Sequence, residues 1–247
     1  MHSAYSVPYG ATDQASCVRT ANELGAVCGR YSFFARRAEV SAAFPFARVD
    51  DDFDRTVPQR YNIAPTQAAP VVLSTGRCEL LTWGFGLPHT FNARAESIAQ
   101  RPLYRAAFEG RRALALASNW YEWEPTPSGK RPFAISLQSG APFAFAAIWE
   151  ERDDRACFSI LTRASRGILA RVHHREPIVL LGERARRWIA ADCSPRERDA
   201  LIEPREPNDE IFVMHEVGRE VNDVGNDEPS LIAPLSAQHA SRELRLL

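Results

Sequence analysis

Lysine is nearly absent from this sequence: Lys130 stands alone, and every other basic residue is arginine. The five cysteines (Cys17, Cys28, Cys78, Cys157 and Cys193) are odd in number, widely spaced, and form no CxxC or CxxH pair. That pattern argues against a disulfide framework and against a zinc site, so no metal is expected and a reducing, cytoplasmic setting is. Long apolar runs are also missing. Residues 141–149 and 178–181 are the longest, well short of the roughly 20 residues a membrane span needs. With a net charge of −1, the chain has no overall field to draw nucleic acid, and any such binding must come from a local basic patch. Residues 1–27 lack the continuous apolar core of a secretory signal, and no internal repeat or low-complexity segment is present.

What remains is ordinary globular composition, 45% hydrophobic and 25% charged. Residues 1–26 are expected to be a leader without its own fold, and residues 27–247 one domain. A helix capped by Ser32 is predicted over 32–43, then a loop to 59. Strands at 71–74 and 78–83 make a hairpin around Gly76. A helix follows the segment 92–96 and ends at Gly110. Strands at 113–123, 133–137, 142–149 and 157–162 suggest a meander, and a short helix over 165–172 delivers His173. A strand at 178–181, helices at 183–191 and 195–202, and a strand at 211–216 complete the chain. The expected class is α+β: a rolled, barrel-like, mainly antiparallel sheet with flanking helices.

Candidate chemistry begins at Cys28. Alone it reads as a small buried hydrophobe; its company changes that reading. An amide (Asn92), guanidinium groups (Arg30, Arg94, Arg175), a carboxylate (Glu122) and an imidazole (His173) supply an orienter, anion clamps, a proton carrier and an acid. Strand alternation sets Leu114, Leu116, Ser118, Trp120 and Glu122 on one face, so Glu122 interrupts an apolar row, where burial would push its pKa up. Adjacent histidines point about 100° apart on a helix, so His173 can enter a cleft while His174 stays outside. Arginine forks suit phosphates, and Tyr61 to Pro65 with Trp83 offers flat surface on which nucleobases could stack. Against each stands a plainer role: an ion pair, a solvated histidine, a core aromatic.

In order, Cys28-Gly29-Arg30-Tyr31, Arg60-Tyr61-Asn62-Ile63-Ala64-Pro65, Trp83-Gly84, Asn92-Ala93-Arg94-Ala95-Glu96, Trp120-Tyr121-Glu122-Trp123, His173-His174-Arg175-Glu176-Pro177 and Val221-Asn222-Asp223-Val224 resemble the SOS response-associated peptidase family. The resemblance implies a cofactor-free, monomeric protein that recognises abasic sites in single-stranded DNA and links itself to them covalently. It places the catalytic set on Cys28, Asn92, Glu122 and His173, and the DNA contacts on Arg30, Arg94, Thr162 and Arg175, with Pro65 added from the stacking surface. His174 and Glu176 depart from the family pattern, as does the short connection from Trp83 to Asn92. The family's cysteine is N-terminal after Met removal, whereas Cys28 lies inside this chain. Val27 suggests an explanation, because a GTG codon read as valine within a gene initiates as methionine. A cysteine peptidase limited to its own leader and a non-catalytic single-strand-binding module are the alternatives.

Overall fold

The computed structural model describes residues 29–85, 90–152, 154–203 and 211–235. The expected leader and Cys28 lie outside them. The strands in chain order are β1 (Tyr31–Phe33), β2 (Arg60–Ile63), β3 (Ala68–Leu73), β4 (Cys78–Trp83), β5 (Asn92–Arg94), β6 (Arg112–Ala117) and β7 (Asn119–Thr126), then β8 (Gly129–Leu137), β9 (Phe143–Arg152), β10 (Arg155–Ala164), β11 (Arg175–Pro177), β12 (Val179–Leu180) and β13 (Phe212–Glu216). The helices are α1 (Arg37–Ala43), α2 (Phe53–Thr56), α3 (Pro102–Gly110), α4 (Gly182–Ile189) and α5 (Pro195–Ile202).

Five strands close a mixed barrel in the order β4, β3, β6, β9, β10, with β10 returning to β4 as the one parallel seam. Strands β5 and β11 extend it at β10, and β12 at β9. A second, antiparallel sheet runs β13, β8, β7, β1, β2. The rolled, mainly antiparallel expectation holds, and the 68–83 hairpin turns at Gly76, whose φ of +79° suits glycine.

The expected meander does not. Residues 113–123 are two strands, one in each sheet, because at Ser118 the backbone leaves β9 for β1: Ser118 N–H donates to Ser32 O at 2.8 Å and Ser118 Oγ accepts from Phe34 N–H at 3.1 Å. Ser32 therefore sits in a strand rather than at a helix cap. The first helix starts five residues later, where Glu39 accepts the backbone N–H of Arg36 at 2.7 Å. Strand β6, Arg-Ala-Leu-Ala-Leu-Ala, is buried throughout. Its small alanines let α4 approach until Trp188 Nε1 donates to Ala113 O at 2.9 Å.

Trp83 joins the two sheets. Fully buried at the end of β4, it meets Tyr31 of β1 edge-on at 4.9 Å and stacks on Phe158 of β10 at 6.3 Å. Its Nε1 donates to Phe91 O, one residue before β5, at 2.8 Å. Trp83→Ala should cost about 3–5 kcal/mol of unfolding free energy in urea titrations, as large buried aromatics do, and Trp83→Phe clearly less.

Candidate active site

The β1–β7 register pairs Tyr31 with Trp120 and Ser32 with Asn119, and Tyr121 N–H donates to Arg30 O at 3.0 Å. The ladder thus runs to Arg30 beside Tyr121, the sequence neighbours of Gly29 and Glu122. That carboxylate is 3% exposed and shares its strand face with Trp120, which packs edge-on against Phe143, Phe145 and Phe212. The apolar row holding Glu122 is thus shorter than expected, because Leu114 and Leu116 belong to the barrel strand.

Arg30 is on the opposite face and is buried, not at a rim. Its Nη1 donates to Asn62 Oδ1 at 2.8 Å and to Val221 O at 2.9 Å, and its guanidinium lies 5.9 Å from the Trp123 ring. Burial pushes its pKa down to about 10, with Tyr121 and Asp223 opposing, so it stays a cation at neutral pH. Asn62 returns Nδ2–H to the carbonyls of Asp223 (2.9 Å) and Asn226 (2.8 Å), while Asp227 accepts from Arg60 and from the backbone N–H of Tyr61 and Asn62. The polar segment after Val221 is therefore a clamp across β1 and β2, and Trp123 joins it through Nε1 to Asn222 Oδ1 at 2.7 Å.

A second group gathers on three neighbouring strands. The pairings put Arg94 of β5 beside Thr162 of β10, and Ala164 beside Arg175 of β11, with Asn92 two residues before Arg94. Arg175 Nη2 donates to Thr162 O at 2.8 Å and to its hydroxyl at 3.2 Å, and the same guanidinium grips Glu96 with two bonds of 2.9 and 3.1 Å. Burial raises the Glu96 pKa, but the Arg175 hydrogen bonds, backbone hydrogen bonds and the Arg175 charge together outweigh it, and the net shift is downward. Arg94 is exposed and has no carboxylate partner among the described residues. Of the three arginines expected along a rim, Arg94 alone presents an uncommitted fork.

His173 follows the 3₁₀ turn Gly167–Arg171 and its cap Val172, with its N–H donated to Leu169 O at 3.1 Å. Its Nδ1 lies 3.2 Å from both the N–H and the carbonyl of Arg175. When Nδ1 carries a proton and donates to that carbonyl, the proton the ring gains and loses is the one on Nε2. The His174 ring lies 4.4 Å away and is exposed.

The stacking surface expected at Pro65 and Trp83 is largely internal. Pro65 is buried in a turn closed by Gln67 N–H to Ala64 O at 3.2 Å, and that turn is tied down by Thr66 N–H to Trp83 O at 2.8 Å. Thr66 has φ +76°, which a β-branched residue rarely adopts and which costs on the order of 1–3 kcal/mol. Gln67 helps hold it by accepting from Ala64 N–H and Arg60. The aromatic pair with partial exposure is instead Tyr61 on Phe34, stacked at 5.2 Å.

The model of one protein family, SOS response associated peptidase (SRAP), matches residues 27–224. The chain belongs to that family. An abasic site processing protein, YedK of Escherichia coli strain K12, is 30% identical over 85% of this chain and all of its own length. YoqW of Bacillus subtilis strain 168, of the same description, is 26% identical over 83% of this chain and 99% of its own. A crystal structure of a Bacteroides thetaiotaomicron protein has the same fold, with TM-score 0.71 and 19% identity over 84% of this chain and 99% of that one.

For a member of this family, the thiols among the described residues are a poor source of nucleophile. Burial, then Glu79 and Asp50, push Cys78 up to about 12; burial, then Glu150, pushes Cys157 up to about 11; burial also raises Cys193. The family motifs also hold side chains that sequence reasoning left without a role. Asn62, Asn222 and Glu96 sit inside quoted motifs, but only coordinates show what they touch. Asp227 lies beyond the last motif, and the amide-rich run 222–227 was its one signal. Two outcomes follow. Arg30→Ala should lose about 2 kcal/mol or more in urea unfolding, because two buried acceptors lose their donor, while Arg94→Ala should stay within about 0.5 kcal/mol. At pH 8, Cys78 and Cys157 in the native protein should alkylate at least about a hundredfold more slowly than free cysteine, followed by peptide mass spectrometry.

Proposed function

We propose that the protein recognises abasic sites in single-stranded DNA as a monomer and joins itself to them through Cys28, with Glu122 and His173 moving the protons. The observation that carries this is a buried carboxylate, Glu122, on the strand whose Tyr121 bonds the backbone of Arg30, two residues after Cys28. The relatives named abasic site processing proteins support the lesion as substrate.

A ring-opened abasic sugar carries an aldehyde. The α-amine of a cysteine that begins a chain adds to that carbon and, as water leaves, forms a Schiff base. The thiol then adds across the C=N bond, its proton passes to nitrogen, and a five-membered thiazolidine closes. An α-amine with pKa roughly 7.7–8.0 is substantially neutral at physiological pH, where a lysine near 10.4 is not. In this scheme Glu122 takes the proton of the attacking amine and returns it to the departing hydroxyl, while His173 protonates the ring oxygen through Nε2. Asn92 orients the sugar. Arg94 meets the backbone phosphate beside Thr162, and Arg175, braced by the Thr162 hydroxyl and carbonyl, is a donor that already holds one anion, Glu96. Arg30 acts from behind, fixing the β1 backbone.

The scheme needs a free amine on Cys28, because a peptide nitrogen has its lone pair in resonance. The working form therefore begins at Cys28, through initiation at Val27 or removal of the leader. The test is a denaturing gel of the protein with an abasic single-stranded oligonucleotide. A stable shifted band is expected from Cys28-initiated protein, none from Cys28→Ala, and slowed formation from Glu122→Gln and His173→Ala with DNA affinity intact. Arg94→Ala should weaken binding to any single strand and flatten its salt dependence by about one charge. Cleavage of a protein substrate with no shifted band would favour a peptidase. Equal crosslinking by protein proven to retain residues 1–27 would overturn the amine-and-thiol scheme.

A further inference from the structure

We infer that Glu176 is a positioning residue for His173, acting with Arg163 from the reverse side of the β10–β11 ribbon. The inference rests on the reading of His173 as the proton donor. Arg163 and Glu176 are directly opposite in the antiparallel register, flanked by the pairs Thr162 with Pro177 and Ala164 with Arg175. Side chains alternate across a strand, so Arg163 and Glu176 face away from Thr162 and Arg175, into the protein. Glu176 is 1% exposed and Arg163 is 9% exposed.

The carboxylate is divided between two tasks. Its Oε1 accepts from Arg163 Nε at 2.7 Å, and its Oε2 accepts from the backbone N–H of Arg166 at 3.3 Å. Arg166 is the N-cap of the 3₁₀ turn that leads to His173. One side chain at the return of the loop thus grips the residue at its departure. Ser165 N–H to His174 O at 3.0 Å closes the same loop beside it. Arg163 carries the tie further, from Nη1 to Ile202 O at the end of α5, at 3.4 Å. Leu169 and Val172, both 3% exposed, fill the interior of the loop. The imidazole is then held by a turn whose two ends are locked to each other and to a helix. A buried ion pair gives little net stability compared with an apolar pair of similar size, so positioning is the function that distinguishes this one.

The test separates position from stability. In Arg163→Met/Glu176→Met both members of the ion pair go together, and the acceptor for Arg166 N–H is lost. Long-range proton–nitrogen spectra of the full chain, with His173 assigned by comparison with His173→Gln, report the two ring nitrogens without any DNA. The double variant should melt close to wild type and bind undamaged single strands equally, yet shift the His173 Nδ1 and Nε2 signals toward those of free histidine. It should crosslink abasic single strands about tenfold or more slowly, the scale expected when a supporting contact is removed. Arg163→Lys, which leaves Glu176 on Arg166, should keep both wild-type signals. If the double variant does not fold, Glu176→Gln carries the same expectation in weaker form. Unchanged His173 signals and an unchanged rate in either Glu176 variant would overturn the inference. A Cys28-initiated protein that fails to crosslink would instead sink the proposed chemistry, and the nitrogen signals would still decide the role of Glu176.

Discussion

Burial of Trp83 is the interaction on which the relation of the two sheets depends. Its ring touches Tyr31 in the open sheet and Phe158 in the barrel, its Nε1 holds the chain just before Asn92, and its backbone holds the turn at Pro65. The candidate residues on β1 and β7 and those on β5, β10 and β11 come from different sheets, so their mutual placement is only as firm as this junction. A close-packed interior transmits displacement rather than absorbing it. An indole suits the junction because it offers large apolar faces together with one donor for an otherwise awkward carbonyl.

The scarcity of lysine acquires a structural meaning alongside any genomic one. Arg30, Arg112 and Arg163 are all buried, with guanidinium groups spread over backbone carbonyls: Arg112 reaches Trp188 O at 2.7 Å and Ala190 O at 3.0 Å, tying β6 to the end of α4. A planar fork with five donors can satisfy two or three fixed acceptors at once, where an ammonium on a flexible stem cannot. The same residue type serves as brace at Arg30, as part of a preformed anion set at Arg175, and as an open fork at Arg94. Burial and the nearness of a carboxylate assign these roles.

The pattern among the cysteines follows the same logic. Cys78 and Cys157 lie where burial and neighbouring carboxylates disfavour thiolate, which keeps them inert beside any reactive thiol. Among the described residues, then, no thiol is poised to compete with a reactive one.

Much was legible beforehand because it is local. The hairpin around Gly76, α5 behind Ser194 and Pro195, and the family motifs depend on residues close in sequence, and turn chemistry, capping and ordered spacing are read from the chain directly. Other features were not local. Residues 113–123 look like one strand because propensity cannot see that Ser118 exchanges partners between sheets. Arg30 looks like a rim cation because nothing nearby in sequence announces Asn62 or Val221, the latter 191 residues away. By itself, then, the sequence determined which chemical groups this protein carries and in what order. Tertiary structure decided which arginine stays open, which aromatic is hidden, and that Glu176 reaches Arg166, because those outcomes depend on long-range burial and on which polar groups must find partners once water is gone.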